Sequence, residues 1–192
     1  VQTCALPIYY WLLIISNNKM ALETIEIQDK LVETFGSAVF QFNQDKDIFS
    51  FEVDADKITA VILFLKNDPT LRFNFLTDLC GIHYPDNEQE RQFAVVYHMH
   101  NWYENKRIKI KAFINGEKPE IKTISNIFLS SNWMERETFD FYGINFIGHP
   151  QLKRILNMDE MVSFPMRKEF PMEDSGRTDK DDRFFGRTTA NC

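Results

Sequence analysis

The sequence predicts an α+β domain of two layers, with a mostly antiparallel mixed sheet and helices on one face. Three observations predict it. Strand-like runs come in groups, a pair and then a triplet, and helix-like stretches separate the groups and not single strands. Neighbouring runs can pair as hairpins, the first across the polar segment Asn43 to Asp47. No Gly-rich turn follows a strand, so neither a dinucleotide fold nor a P-loop is supported.

Each element has its own signal. Ile25, Leu31, Val32 and Phe35 form a helix-like apolar stripe over residues 21 to 35, and Gly36 is a natural C-cap. Residues 38 to 42 and 48 to 53 read as strands. Asp54 or Asp56 can cap a second helix with Ile58, Val61, Ile62 and Leu65 on one face, stopped by Asn67, Asp68 and Pro69. Residues 72 to 84 are β-rich, with a bulge expected at Gly81. Residues 92 to 102 form a strong strand, and residues 107 to 114 alternate basic and apolar, so one sheet face should be wet. Thr123 or Ser125 can cap a last helix that runs towards Gly143. The order is α-β-β-α-β-β-β-α, followed by an extended C-terminal arm. The domain is expected over residues 20–145 and a partner-binding arm over 146–192.

The 192 residues have room for one compact domain with tails, and 18 phenylalanines can fill a core. A net charge of -6 argues against sequence-independent nucleic-acid binding, which needs clustered cations. Cys4, Cys80 and Cys192 are scattered and lack a CxxC pair. They fit no disulfide framework or iron–sulfur site, and a reducing compartment is the simplest reading. Residues Ala5 to Ile15 are apolar but too short a run to span a bilayer, and they lack signal-peptide features. Residues 1–19 are expected to precede the natural start at Met20; a short membrane-touching anchor is the alternative.

Special residues are densest from Asn132 to Pro171. Helical spacing puts Ile124, Phe128, Ser131, Glu135 and Phe139 on one face. Glu135 would then be buried, which is costly unless it is paired, and His149, Arg154 and Arg167 are candidate partners. Arg136 and Asp140 are four apart and can pair along the helix surface. Gly143 permits positive φ at the helix end, and His149-Pro150 pins an extended turn. Pro165, Arg167, Lys168 and Pro171 make a stiff, basic, solvent-facing loop. The whole reads as a clamp that lies along another protein.

The run ERETFDFYGINFIGHPQLKRIL resembles the signature of the respiratory-chain NADH dehydrogenase 30-kDa subunit family, the C-type subunits of NADH–quinone oxidoreductase. Glu135, Arg136, Glu137, Asp140, Gly143, Phe146, His149, Pro150, Leu152, Arg154 and Ile155 carry the match. Pro165, Met166, Arg167, Lys168 and Pro171 resemble the family's following motif. Asp78, the run ending at His98 and Asn132-Trp133 are similar upstream, so the resemblance spans roughly Phe75 to Pro171. It implies a non-catalytic structural and assembly subunit without a cofactor, metal or redox centre of its own. It also implies a place in the hydrophilic arm, peripheral on the cytoplasmic side of the bacterial inner membrane. The implied neighbours are the quinone-site subunit (D-type) and the iron–sulfur subunits (B- and I-type). The implied complex is a proton-pumping oxidoreductase and translocase that uses NADH, FMN, iron–sulfur clusters and quinone. A related membrane-bound hydrogenase-type complex could use the same motif.

Other readings remain open on the residues alone. Glu135, Glu137, Asp140 and His149 could be an acid–base set or a structural network. Cys80, His83, His98 and His100 could hold zinc, as in a free-standing hydrolase, or be ordinary strand residues. Trp102, Tyr103, Trp133, Phe139 and Tyr142 could line a quinone path or serve as core and interface anchors. The tail from Glu173 to Arg187, with Phe184-Phe185, is either disordered or an arm that orders on a partner.

Overall fold

A computed structural model describes residues 24–45 and 48–170. The expectations for residues 1–19 and for the tail with Phe184-Phe185 lie outside the described residues. Helix α1 covers residues 24–35. Strands β1 (Val39–Asp45) and β2 (Ile48–Asp54) follow, then α2 (Ile58–Asn67). Strands β3 (Phe75–His83), β4 (Phe93–Asn101) and β5 (Lys106–Ile114) come next. Strand β6 (Glu120–Lys122), helix α3 (Ser131–Tyr142) and strand β7 (Asn145–Ile147) complete the order.

The main sheet has the order β1-β2-β5-β4-β3. Only the β2–β5 pair is parallel, so the sheet is mixed and mostly antiparallel, as the sequence predicts. The pleat sorts the faces. Phe51 of β2 lies beside Ile110, Ile110 beside Tyr97, and Tyr97 beside Leu79. This row and its neighbours two residues along share one buried core with Leu31 of α1, the α2 face and Ile124. On the opposite face Asp78, His98 and Lys109 are register mates. The helices therefore cover one face.

The buried face of α2 is Ile58, Val61, Ile62 and Leu65, as spaced in the sequence. The face of α1 matches half of the predicted stripe: Leu31 is buried and Phe35 packs on the core, joined by buried Ile27, while Ile25 and Val32 are exposed. A 3-10 turn over Ala55–Lys57 precedes α2, and Asp54 makes no side-chain cap bond. The irregularity in β3 falls between Leu76 and Asp78, not at Gly81. Gly81 answers a different need, since a Cβ there would lie 2.8 Å from the Tyr142 ring. The missing side chain lets α3 lie close over β3.

Two short strands were not legible in the sequence. β6 and β7 pair in parallel, with Ile121 opposite Phe146, and both side chains are buried. The expected boundary at residue 145 thus falls inside β7. Residues beyond Ile147 carry no further helix or strand through 170, and fold back on the C-terminal end of α3. No helix among the described residues is long and apolar enough to cross a membrane.

Candidate functional site: a polar clamp around helix α3

Helix α3 begins at Ser131, not at Thr123 or Ser125, and no side chain caps it. Those two residues form a tight polar turn beside the helix. The Thr123 hydroxyl donates to Glu135 Oε2 at 2.5 Å, and the Ile124 N–H donates to Glu135 Oε1 at 2.8 Å. Glu135 is fully buried, as its spacing predicts. Burial pushes its carboxyl pKa up, and the bonds from Thr123 and Ile124 with the nearby His149 oppose that shift in part.

His149 comes closest among the predicted partners of Glu135, with Nε2 4.0 Å from Oε2. The Gln151 N–H donates to Nδ1 at 3.1 Å. A backbone N–H can only donate, so the ring proton sits on Nε2 and points to the Asn132 carbonyl at 3.2 Å. His149 therefore ties the start of α3 to the following turn, and Pro150 stands exposed next to it. Hydrogen bonds, not an Arg ion pair, satisfy Glu135.

Asp140 is the second fully buried carboxylate. It does not pair with Arg136. Its partner is Arg154, whose Nη1 donates to Oδ1 at 2.8 Å. Three successive backbone N–H groups, of Ile155, Leu156 and Asn157, donate to Oδ2 at 3.0, 2.8 and 3.0 Å. The Asn157 amide donates to Oδ1 at 3.0 Å. Burial alone would raise this pKa, but the backbone donors and the Asn157 amide outweigh it and hold the carboxyl well below the usual range. With these donors in place, Asp140 has no lone pair left to serve as a base.

Arg154 goes on to bind the Met161 carbonyl at 2.6 Å and lies 5.0 Å from the centre of the Phe164 ring. Arg136 turns its guanidinium to the carbonyls of Lys153 and Arg154, and stacks 4.7 Å over Trp133. Arg167 does not face solvent. It is half-buried, donates to the Tyr142 carbonyl at 2.8 Å, and lies over the rings of Phe93 and Phe164. Burial lowers its pKa. Lys168 and Glu137 are exposed, and Pro165 is half-buried. The Lys168 N–H donates to Nδ1 of His83, which stacks on Phe93. Gly143 closes α3 at φ +74°, and a Cβ there would sit 2.6 Å from the Phe164 ring. Both the backbone angle and the folded-back segment therefore require glycine.

The other candidate sets separate. Cys80, His98 and His100 lie on the sheet face turned away from the core helices, and His83 on the opposite one. Among the described residues no group of three or more His, Cys, Asp and Glu is placed to hold a metal. Trp102 and Tyr103 occupy the turn after β4, while Tyr142 packs over Gly81 and Phe139 meets Phe164 edge-on. Glu137 is exposed and apart from the Glu135 and Asp140 centres. Sequence reading missed Thr123 and Asn157 as ligands of the two carboxylates. Thr123 was legible as a capping hydroxyl, but its acceptor was not.

Comparison with known proteins bears on the same segment. The sequence model of the family described as "Respiratory-chain NADH dehydrogenase, 30 Kd subunit" matches residues 51–176, which include α3 and the described clamp. The chain belongs to this family. The C 2 subunit of the Rhizobium meliloti NADH-quinone oxidoreductase is 38% identical over 143 residues, covering 74% of this chain and 76% of the relative. The C subunit of the NADH-quinone oxidoreductase from a Roseiflexus strain is 34% identical, covering 86% of this chain and 95% of the relative. Among solved structures, the trypsin-resistant fragment of Nqo5 has the same fold, with a TM-score of 0.57 and 24% identity, covering 67% of this chain and 99% of that one. A chain of an archaeal membrane-bound sulfane sulfur reductase shares it too, with a TM-score of 0.66 and 24% identity over 78% and 86% of the two chains. Family membership makes the other subunits of a respiratory complex this chain's partners. The geometry adds how residues of the matched stretch are used: Glu135 anchors the turn before α3, and Asp140, Gly143, His149, Arg154 and Arg167 hold the segment after it.

Proposed function

We propose that this chain is a structural and assembly subunit of a proton-translocating NADH–quinone oxidoreductase, and that the clamp is its docking face. The supporting observation is inverted polarity. The inside of the segment after Ile147 is polar, built on Asp140, Arg154 and Arg167. Several of its apolar side chains point outward, with Leu156 69% exposed, Met158 72% and Val162 92%, and Met166 and Phe170 also exposed, while Leu152 packs on the core and Phe164 against Phe139 and Arg154. Leu129 and Trp133 at the start of α3 add to them. Contiguous exposed apolar surface marks interaction sites.

The partner is the quinone-site subunit (D-type), with the B- and I-type iron–sulfur subunits nearby. The chain sits peripherally on the cytoplasmic side of the bacterial inner membrane. The assembled complex passes electrons from NADH through FMN and iron–sulfur clusters to quinone, and this chain binds none of those groups. Its two buried carboxylates are engaged in holding structure, and this favours a bracing role over an acid–base one. The fold shared with the sulfane sulfur reductase chain favours a second reading, the equivalent place in a related membrane-bound, hydrogenase-type complex. One experiment separates the readings. The C-terminally tagged chain is captured from detergent-solubilised native membranes and its companions are identified by mass spectrometry. Quinone-site, iron–sulfur and flavin subunits with NADH–quinone activity are expected. Hydrogenase-type subunits would favour the second reading, and a lone soluble chain would overturn both.

A further inference from the structure

The clamp grips the domain beside His83 and Phe93, where β3 ends and β4 begins. At the other end of the same hairpin, Phe75 pairs with His100. These strands are nine residues long, so the two ends lie about 27 Å apart at roughly 3.4 Å per residue. Here the chain exposes a second apolar group. Trp102 is 69% exposed and Tyr103 65%, and exposed Phe75 meets the Trp102 ring edge-on at 6.3 Å. Side chains of this size present together roughly 400 Å² of aromatic surface, as much as the largest patch on an ordinary monomer.

The turn that carries them is rigid. Asn101 is buried; its Oδ1 accepts the N–H groups of Tyr103 and Glu104, and its amide donates to the Leu71 carbonyl. His100 Nε2 and Asn105 Oδ1 are bonded at 3.1 Å, and Asn105 takes φ +53°. The Arg72 guanidinium lies 4.3 Å over Tyr103. An aromatic pair held in one geometry loses little entropy on binding, and exposed Trp and Tyr are common binding hot spots. A fluid lipid surface makes no use of fixed geometry; a shaped protein pocket does. Lys106 pairs with Glu104 at 2.5 Å, and Arg72 and Arg107 give this tip a basic edge on a chain whose net charge is -6.

We propose that the β4–β5 turn, with Trp102 and Tyr103, is a second protein-docking surface, received by an apolar pocket with an acidic rim on another subunit of the assembly. The chain then bridges two contacts at opposite ends of one hairpin. This inference rests on the assembly reading above. The test is hydroxyl-radical footprinting of the purified complex and of the isolated chain, read residue by residue by mass spectrometry. Oxidation of Trp102 and Tyr103 should fall several-fold in the complex, and delipidation should not restore it. The W102A/Y103A double variant should fold with an unchanged thermal midpoint. Its retention in the complex should weaken about thirtyfold, equivalent to about 2 kcal/mol.

Equal oxidation of Trp102 in complex and isolated chain, with Met158 protected, would overturn this inference and leave the clamp reading standing. So would protection that vanishes on delipidation, protection already present in the isolated chain, or concentration-dependent protection from a second copy. Failure to recover the chain in any complex would overturn the assembly reading instead.

Discussion

The sheet-and-helix body and the clamp are stabilised in opposite ways. In the body, Phe51, Val53, Leu65, Tyr97 and Ile110 pack in one apolar cluster, and each fully buried aliphatic side chain contributes about 1.5–3 kcal/mol. In the clamp, two buried carboxylates gather backbone N–H groups from irregular segments, and several apolar side chains face out. Apolar burial is spread over many residues and degrades gradually when one is trimmed. The clamp converges on Glu135 and Asp140, so losing one acceptor frees several donors together. An irregular segment held this way can present apolar surface to a partner because hydrogen bonds around Asp140 and Arg154 supply much of its hold.

The largest predicted effect breaks the clamp at its centre. Asp140→Ala leaves the Arg154 guanidinium buried without its carboxylate and three backbone N–H groups without an acceptor. A cost of about 3–5 kcal/mol is expected. Leu65→Ala in the body should cost a similar amount, about 2–5 kcal/mol. Hydrogen exchange separates them: the first should deprotect residues 145–170 while sheet amides stay slow, and the second should loosen the body as a whole. Gly143→Ala comes next. Its left-handed backbone alone costs about 1–2 kcal/mol, and the new Cβ meets Phe164 and Arg167. Thermal unfolding checks it, with a smaller loss expected for alanine at Gly36, which has positive φ but open space around it.

The two carboxylates should also respond oppositely to pH. The folded pKa of Asp140 lies below its unfolded value, so the folded state binds fewer protons there. Its contribution is present above the usual carboxylate range and is lost as pH falls through and below it. The folded pKa of Glu135 is raised, so its contribution is greatest below about 4.5 and declines as pH rises. Chemical unfolding across pH 3–7 should show Asp140→Asn flattening the acid loss and Glu135→Gln removing the opposing slope. The smallest effect on stability belongs to the outward face. M158S with V162S should change stability by no more than about 0.5 kcal/mol yet reduce recovery of the assembled complex.

This contrast also explains what could be read from the sequence. The body was legible because apolar periodicity reports burial directly. The α2 face and the strand cores follow from spacing, while in α1 Leu31 and Phe35 were read correctly and Ile25 and Val32 misled, being apolar yet exposed. Glu135 was legible as buried for the same reason. Its ligands were not, because Thr123 and Ile124 reach it from outside the helix. The Asp140–Arg154 pair was hidden behind a nearer alternative, since local spacing favours Arg136 and only the chain reversal after His149 brings Arg154 back. β6 and β7 are three residues each, too short for any period to show.

Under the proposed function, Asp140, Arg154 and Arg167 build a docking face and do not perform chemistry. The most direct measurement is the amount of assembled complex, together with NADH–quinone turnover per assembled complex, in cells carrying Arg154→Ala in place of the native chain. Less assembled complex with unchanged turnover per complex is the predicted result. A normal amount of complex with turnover abolished would contradict it and assign the clamp a direct part in catalysis.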